Sequence, residues 1–455
     1  MKTISGNDFF KYWKNFSEGG AAAVSTDTTT EVSTDITTEN TVKEIINAIR
    51  ANGDKAVRHY ASLYDRSSPE NPEVPLEKII EAVKNIESHD IVLSDALKLS
   101  AQNILRFSQK QREQFVDFEF ENSPGIFTGQ KVIPVKRAAV YVPGGRFPLV
   151  SSALMCLIPA FCAGVEEVCF ASPPGGGSIP ANTGAPDTRI LAAAGIAAQV
   201  CGRLDSGFRA FSMGGAQAIA ALALGTETVP RCDVVSGPGN KYVAAAKRLL
   251  FGETGIDFIA GPSDILVIMD ESASLDLAAA DMLAQAEHDP DARARALVPN
   301  ELTAKNLVKA LDSRLQKLST AKTARQSLDN GGLIVVYENQ EQAQNIANII
   351  APEHLELQTA APDNWIASLK NFGSLFIGSL SAEVLGDYSA GLNHTLPTLG
   401  TSRFSSGLSV RYFLKTLTTL RCEKAPGFSD ALKAAETIAV AEGLSAHAQS
   451  AAARL

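Results

Sequence analysis

The stretch RCDVVSGPGNKYVAAAKRLLF, residues 231–251, joins three kinds of sequence in a row. It opens with a short apolar run, continues through a turn with two glycines and a proline, and ends in a run whose apolar residues have helical spacing. Short apolar runs bounded by turn residues are typical of buried β-strands, whereas longer periodic runs are typical of helices. The stretch therefore predicts a strand, a tight turn and a helix that follows the turn directly.

The same order of strand, turn and helix recurs on both sides of this stretch. Further strand candidates lie at 136–142, 166–172, 264–270, 294–299, 332–337 and 373–379. Helix-like runs separate them, and alternation of this kind is typical of parallel sheets covered by helices. The sequence therefore predicts an α/β fold with two parallel sheets, preceded by mainly helical sequence up to about residue 115.

The chain of 455 residues exceeds the size of one compact core, so two or more domains are expected. We predict a first α/β domain built from residues 37–140 and 263–380. A second α/β domain, residues 141–262, is inserted between these two parts. Small helical pieces flank the domains: an N-terminal arm at residues 1–36, and loop and helical segments at residues 381–455.

Composition excludes several classes of function. The net charge of −9 argues against a sequence-blind nucleic-acid binder and against binding to an anionic membrane. The first residues lack the apolar core of a signal peptide, and no run of eighteen apolar residues occurs. The six cysteines form no CxxC pair, and most lie in apolar runs. We therefore expect a cytoplasmic protein with reduced thiols.

Glycine-rich turns raise the question of a nucleotide site. The GxGxxG fingerprint of dinucleotide-binding folds is absent, but glycines cluster at three predicted strand-to-helix junctions: 142–145, 213–217 and 236–240. Glycine lets the backbone approach a phosphate, and a helix N-terminus favours an anion. Ordinary turns between strands and helices use glycine as well, so the residues alone leave both interpretations open.

Two groups of polar residues are candidates for chemistry. Gln285 and His288 are spaced to share one helix face, and with Asp387 and His447 they offer nitrogen and oxygen ligands of the kind that Zn²⁺ accepts. Taken singly, each histidine fits an ordinary satisfied or surface side chain better than a zinc ligand. The adjacent Glu353 and His354 are suited to proton transfer, because imidazole titrates near neutrality and burial can raise a carboxyl pKa to match. A solvated pair at a helix start after Pro352 is the alternative.

Nine sequence blocks, in order, resemble the histidinol dehydrogenase family. They are YVPGG (141–145), GGAQAIAAL (214–222), GPGNKYVAAAKR (237–248), AGPSDILVI (260–268), QAEHDPDA (285–292), APEHLEL (351–357), GDYSAGLNHTLPT (386–398), RFSSGLSV (403–410) and AEGLSAHA (441–448). The resemblance extends over roughly residues 35–455. Nine long blocks in one order are far more specific than any single short motif.

The resemblance implies a zinc- and NAD-dependent enzyme of histidine biosynthesis. Such an enzyme oxidises L-histidinol through L-histidinaldehyde to L-histidine with two molecules of NAD. The family fold comprises two related, incomplete Rossmann-like domains with parallel sheets, in an intertwined homodimer. By analogy, residues 381–455 would complete the active site across the dimer and residues 141–262 would bind NAD.

Residue roles carried over by motif are implied by the same resemblance. The zinc ligands would be Gln285, His288, Asp387 and His447. Glu353 and His354 would be the catalytic proton-transfer pair, with His354 as the general base and Glu353 activating water. The substrate would contact Ser263, His394 and Glu442 in addition to His354 and the four zinc ligands. NAD would contact Tyr141, Gln217 and Asn240.

Two departures and two alternatives accompany the resemblance. Residues 199–215 are longer and less typical than the family's link before GGAQ, which puts the local NAD-side geometry in doubt. Residues 147–152 also differ from the family's usual sequence after YVPGG. A related zinc and NAD dehydrogenase of another small alcohol is one alternative, although Glu442 would attract a cationic amine and repel an anionic sulfonate. A non-catalytic zinc protein is the other, and the presence of Glu353 and His354 argues against it.

Overall fold

The computed structural model describes residues 1–18, 28–65, 67, 70–144, 148–175, 184–259 and 261–455. The strands of these residues are β1 (Lys2–Ser5), β2 (Glu73–Val74), β3 (Phe118–Ser123), β4 (Ile126–Pro134), β5 (Arg137–Tyr141), β6 (Glu167–Ser172), β7 (Phe208–Ser212), β8 (Val234–Ser236), β9 (Gly255–Ile256), β10 (Asp264–Met269), β11 (Arg293–Val298), β12 (Leu333–Val336), β13 (His354–Gln358), β14 (Ser374–Ile377) and β15 (Leu414–Cys422).

The helices of the same residues are α1 (Gly6–Glu18), α2 (Thr28–Tyr60), α3 (Leu76–His89), α4 (Ile91–Arg112), α5 (Val150–Ala163), α6 (Thr188–Val200), α7 (Gly215–Leu224), α8 (Lys241–Leu250), α9 (Leu275–Ala286), α10 (Glu301–Leu315), α11 (Ala321–Gly331), α12 (Gln340–Ile350), α13 (Asp363–Ile366), α14 (Glu383–Tyr388), α15 (Pro426–Ala441) and α16 (Ser445–Ala452). A π-helical turn, Ala61–Asp65, continues α2. The helix α2 is kinked at Gly53, where φ is +50°.

The first sheet has the strand order β1-β12-β11-β10-β13-β14, and every neighbouring pair is parallel. Its two faces pack into separate apolar cores. Helices α9, α10 and α11 cover one face, and α1 and α12 cover the other. Because both faces are covered, the central strand β10 is buried along its whole length.

The second sheet has the order β2-β7-β6-β5-β8-β9 and is parallel except where the short β2 pairs with β7. Helices α3 to α6 cover one face, and α2, α7 and α8 cover the other. The opening stretch forms β8, the turn and α8, as predicted. The predicted α/β fold with two parallel sheets is therefore confirmed.

The predicted grouping of residues 37–140 with 263–380 is wrong. β5 lies in the middle of the second sheet, between β6 and β8, and α2, α3 and α4 pack on that sheet as well. The apolar residues of α2, such as Val42 and Ile45, share a core with Tyr141. Local periodicity predicts which side of a helix is buried. It does not predict which sheet that side packs against, because packing between distant segments decides this.

The two flanking segments also differ from their prediction. The N-terminal arm, residues 1–36, contains a strand as well as helix, because β1 adds a parallel edge to the first sheet beside β12. Residues 381–455 contain β15, which pairs with β4 in a three-stranded antiparallel sheet, β15-β4-β3. The leucines of β15 lie at 414, 417 and 420, a spacing of three that hides the alternation of a strand.

The three-stranded sheet and helices α15 and α16 form an exposed C-terminal arm. Large apolar side chains stand in solvent along it, among them Leu420, Ile438 and Val440. An exposed apolar surface of this extent is typical of an interaction site. None of the helices in the described ranges is long and apolar enough to cross a membrane.

Candidate active site

A cavity of about 200 Å³ lies between the two sheets. The first sheet contributes the residues around the amino ends of β10 and β13, and the second contributes those that follow β5 and β8. Seven residues singled out from the sequence line it: Ser263, Gln285, His288, Glu353, His354, Asp387 and His394. Positions up to 131 residues apart in sequence, from Ser263 to His394, thus meet in one place.

His354 begins the buried strand β13, and Glu353 directly precedes it. The side chains of Glu353 and His354 are only 4% and 2% exposed, so a solvated helix start is excluded. The carboxylate of Glu353 accepts a hydrogen bond from the backbone N–H of Asp264 (3.0 Å), and the carboxylate of Asp264 accepts one from the N–H of Glu353 (3.0 Å). This reciprocal pair joins β10 to β13 and fixes Glu353 in the wall of the cavity.

Acidic groups surround His354. Its Nε2 lies 3.2 Å from Asp387 Oδ1, and its Nδ1 lies 3.6 Å from Glu383 Oε1. Burial alone would lower the pKa of His354, but Glu353, Asp387 and Glu383 outweigh it and raise that pKa to about 10. Burial raises the pKa of Glu353 to about 8, although the charge of His354 opposes the rise. The excess of acids makes this a site for cations.

Glu383 is a site residue that sequence reasoning missed. It precedes Asp387 by four residues on the short helix α14, so the two carboxyl groups lie on the same helix face. Liganding atoms of His354, Glu383 and Asp387 all lie within 4.8 Å of one another, a spacing that suits a metal ion. The i, i+4 pair of acids was the available signal, but it occurs on many solvated helices.

The expected zinc ligands divide into two groups. Gln285, in the last turn of α9, Asp387 and the exposed His288 line the cavity together. Gln285 is 1% exposed, and its Oε1 is buried without a hydrogen-bond partner among the described residues. A buried oxygen without a donor fits a cation, and together with a carboxylate and an imidazole it offers ligands that fit Zn²⁺. His447 does not line the cavity of its own chain.

His447 and Glu442 lie on the exposed C-terminal arm. His447 belongs to α16, and Glu442 caps the C-terminal end of α15. Both side chains are exposed, and neither is among the residues that line the cavity. Within one chain the structure therefore brings together seven of the nine residues expected for zinc binding, substrate binding and proton transfer.

Ser152 fixes the ring of His394. The Nδ1 of His394 lies 3.0 Å from the backbone carbonyl oxygen of Asp387, so Nδ1 carries a proton and donates it to that oxygen. The Nε2 atom of this neutral tautomer accepts a hydrogen bond from the Ser152 hydroxyl, 3.0 Å away. Burial lowers the pKa of His394, consistent with the neutral form. Ser152, near the start of α5, was missed because no motif marked it.

A second cavity, of about 390 Å³, lies at the carboxyl ends of the second sheet. Tyr141, Gln217 and Asn240, the three expected NAD contacts, all line it. They follow β5, β7 and β8, so the three glycine-rich turns converge at one edge of the sheet. Asn240 caps α8 by accepting hydrogen bonds from the N–H groups of Tyr242 and Val243.

The two atypical stretches lie beside different cavities: residues 199–215 reach the second cavity at Gly215, whereas Leu149, Ser151 and Ser152 line the substrate cavity. Residues 199–215 contain β7, which pairs in regular parallel register with β6 and leads into α7. Of the other stretch, residues 148–152 lead into α5, and Phe147 lies outside the described residues. The regular pairing of β7 shows that the longer link does not interrupt the sheet.

Comparisons with known proteins agree with this arrangement. The family model described as histidinol dehydrogenase matches residues 28–455. Histidinol dehydrogenase from Aquifex aeolicus is 42% identical over 410 residues, which cover 90% of each chain. The enzyme of that name from Thermus thermophilus is also 42% identical, over 90% of this chain and 92% of its own.

A solved structure gives the same result. The crystal structure of histidinol dehydrogenase from Elizabethkingia anophelis superposes with a TM-score of 0.83 at 32% identity, over 91% of each chain. The chain belongs to the histidinol dehydrogenase family.

Proposed function

We propose that this chain catalyses the NAD-dependent, four-electron oxidation of L-histidinol to L-histidine through L-histidinaldehyde, the last steps of histidine biosynthesis. The proposal rests on one observation above all. Glu353 and His354, two groups able to move protons, share a cavity with three side chains that fit a zinc ion. That combination suits an alcohol oxidation followed by addition of water to an aldehyde.

Zinc would be held by Gln285, His288 and Asp387 of one chain and by His447 of a second copy. When bound, zinc would supply a Lewis acid that holds the imidazole and the amine of the substrate in a fixed orientation. The buried Oε1 of Gln285 supports this role, because without a cation it lacks a hydrogen-bond partner among the described residues.

Substrate binding would use Ser263, His394 and Glu442. Ser263 and His394 line the cavity, and Glu442 would arrive with His447 from the second copy. The carboxyl groups around the cavity attract the cationic amine of an amino alcohol. Because Ser152 already occupies Nε2 of His394, the Ser152 hydroxyl must rotate away if that nitrogen is to bind substrate.

Proton transfer would fall to His354 and Glu353. Zinc held by Asp387 would offset the negative charge that raises the pKa of His354, so the neutral imidazole could take the hydroxyl proton of L-histidinol while the hydride leaves the same carbon for NAD. Glu353 would then take a proton from water as the oxygen of that water bonds to the aldehyde carbon, and His354 would return its proton to the aldehyde oxygen, which completes the hydrate and restores the neutral imidazole. The hydrate would lose a second hydride to a second NAD, with its hydroxyl proton passing to His354. The buried position of both side chains would keep the aldehyde from bulk water.

NAD would bind in the larger cavity, against Tyr141, Gln217 and Asn240. Its nicotinamide ring would accept the hydride from the substrate carbon. The turn that follows β8 supports this arrangement, because Pro238 and Gly239 line the substrate cavity while Asn240 lines the larger one. The two cavities are therefore neighbours across a single turn.

A homodimer would complete each site. The exposed C-terminal arm carries Glu442 and His447 and presents apolar side chains to solvent. Docking of the arm of one copy on the body of another would bury those side chains and bring the fourth zinc ligand to the cavity. The cytoplasmic location stays a prediction from composition.

The test is the yield of NADH from purified protein given limiting L-histidinol, before and after treatment with a chelator. Two NADH per L-histidinol, lost on chelation and restored by added zinc, is the expected result. The variant His288→Asn should lower zinc content, whereas His89→Asn, a change of an exposed histidine on α3, should not. Zinc-loaded, folded protein that yields no NADH would favour another small alcohol as the substrate.

A further inference from the structure

The N-terminus of α7 forms part of the larger cavity and resembles a phosphate site. Two glycines, Gly214 and Gly215, lead from β7 into this helix, and the N–H groups of such a turn commonly bind a phosphate. In this structure the N–H groups of both glycines already donate hydrogen bonds within the protein. The N–H of Gly214 donates to Asp65 Oδ2 (3.0 Å), and the N–H of Gly215 donates to the Tyr141 hydroxyl oxygen (3.0 Å).

Further contacts hold the Asp65 carboxylate at the N-terminus of α7. Gln217 Nε2 also donates to its Oδ2, at 3.2 Å. A Cβ on residue 214 would lie 2.6 Å from Asp65 Oδ1 and 2.6 Å from Pro173 Cβ, so glycine is required for the carboxylate to come this close. Burial raises the pKa of Asp65, and the bonds from Gly214 and Gln217 oppose that rise by stabilising the ionised form. A carboxylate therefore occupies the place that a phosphate would take.

Among the described residues, the wall of the cavity offers no positive charge to compensate a second negative one. The described lining residues are Thr41, Ile45, Tyr64, Asp65, Tyr141, Pro143, Gly144, Pro173, Gly215, Ala216, Gln217, Asn240 and Tyr242. None of these described residues is a lysine, arginine or histidine. A ligand hydroxyl can donate to Asp65, whereas a ligand phosphate placed there would meet a like charge.

We propose that Asp65 sets the choice of cofactor, by accepting a hydrogen bond from a ribose hydroxyl of NAD and repelling the additional phosphate of NADP. The inference rests on the proposed function, because it takes the larger cavity as the nicotinamide dinucleotide site. It adds a specificity residue that belongs to none of the nine sequence blocks. In the sequence, Asp65 lies between helical runs, and only tertiary packing brings it to Gly214.

The test measures binding of NADH and NADPH to full-length protein by the fluorescence of the reduced nicotinamide, without any alcohol substrate. Wild-type protein should bind NADH at least tenfold more tightly than NADPH, a rough estimate for a phosphate beside a carboxylate. In Asp65→Asn, which removes the charge and keeps the shape, we expect that ratio to fall by roughly tenfold, mainly through tighter binding of NADPH.

The matched control is Asp54→Asn. Asp54 is a buried acid on α2 that does not line the larger cavity, and its Oδ1 accepts a hydrogen bond from the N–H of Thr228 (3.4 Å). Its removal should leave the NADH to NADPH ratio unchanged. If Asp65→Asn does not fold, as judged by circular dichroism, Asp65→Ser replaces it, because a hydroxyl can still accept from Gly214.

The outcomes separate the inference from the proposed function. NADH binding to wild-type protein with an unchanged ratio in the Asp65 variants would overturn the inference alone. Equal weakening of both nucleotides in those variants would also overturn it, since Asp65 would then only cap α7. Failure of wild-type protein to bind either nucleotide would overturn the cofactor site in the proposed function, and the inference with it.

Discussion

His354 lies between three carboxyl groups, and its two ring nitrogens face two of them. Nε2 approaches Asp387 and Nδ1 approaches Glu383, and Glu353 directly precedes His354 in the chain. An imidazole held from both sides has a fixed orientation, which a general base requires. The sequence predicted Glu353 and His354 as a pair suited to proton transfer, because they are adjacent. It could not predict the position of Glu383 beside Nδ1, because that position depends on how α14 packs against β13.

Replacement of His354 should remove both oxidation steps. In His354→Asn we expect the rates with L-histidinol and with L-histidinaldehyde to fall together, by about 10²- to 10⁴-fold, because one base serves both steps. The measurement is the initial rate of NADH formation from each substrate. The exposed His89→Asn is the control for loss of a histidine. Retention of either rate in His354→Asn would remove it from the role of base for that step.

Loss of the Ser152 hydroxyl should act through His394. In Ser152→Ala the Nε2 atom of His394 loses its donor, so the ring is free to change tautomer or to rotate. We expect kcat/KM for L-histidinol to fall by about tenfold with zinc content unchanged, the effect of one lost hydrogen bond. Ser94→Ala, which removes a buried hydroxyl on α4, is the control. An unchanged kcat/KM in Ser152→Ala would show that the ring needs no such anchor.

At the scale of elements, the turn after β8 connects the two cavities and is held by a buried ion pair. Lys247 on α8 is 3% exposed, and its Nζ pairs with Asp257 and donates to the carbonyl oxygen of Gly237 (3.0 Å). Asp257 Oδ2 accepts from the N–H of Gly237 (2.8 Å). Gly237 has φ of +113°, and a Cβ there would lie 2.0 Å from the carbonyl oxygen of Tyr141. The ion pair of Lys247 and Asp257 therefore stabilises a turn that requires glycine at position 237.

Removal of one member of this pair should be costly. Lys247→Met leaves Asp257 buried without its cation, and we expect a loss of about 3–5 kcal/mol in the free energy of unfolding. Urea unfolding measures it, with the exposed Lys241→Met of the same helix as the control. The double variant Lys247→Met with Asp257→Leu should recover much of that loss. A loss in Lys247→Met no larger than in Lys241→Met would contradict the clamp.

Elements differ in how well the sequence predicts them. Strands β5, β6, β8, β10, β11, β12 and β14 are short apolar runs between turn residues, and all were predicted. β13 was missed, because the buried acid Glu356 within it and Glu353 just before it interrupt the apolar pattern at the site. β15 was missed because its leucines recur every three residues. In these two strands, site chemistry or an exposed sheet overrides the usual periodicity. The buried strand β7 was missed as well.

At the scale of the whole molecule, the amino ends of the strands in the first sheet lie opposite the carboxyl ends of the strands in the second sheet. The substrate cavity uses the amino ends of the first sheet and the carboxyl ends of the second. The sequence predicted the two sheets but assigned residues 37–140 to the wrong one. Spacing along the chain does not specify which of two similar apolar faces a helix will cover, so this error has a physical cause.

The whole assembly should share its sites between chains. Mixed and refolded together, the inactive variants His354→Asn and His447→Asn should regain activity, because one site of each heterodimer then has both histidines. Random pairing of equal amounts gives about a quarter of the wild-type activity in a symmetric dimer. Each variant refolded alone is the control. If His447 served its own chain, every site would lack one histidine and the mixture would stay inactive.

The measurement that tests the central claim most directly is the behaviour of Glu353→Gln toward the two substrates. Gln keeps the shape of Glu353 but cannot take the proton of the attacking water. The rate of NADH formation from L-histidinaldehyde should fall by about 10²-fold or more, while oxidation of L-histidinol to the aldehyde falls far less. Limiting L-histidinol should then give one NADH rather than two before the reaction slows. Equal losses in both steps, or two NADH at wild-type rates, would contradict the assignment of Glu353 to water activation.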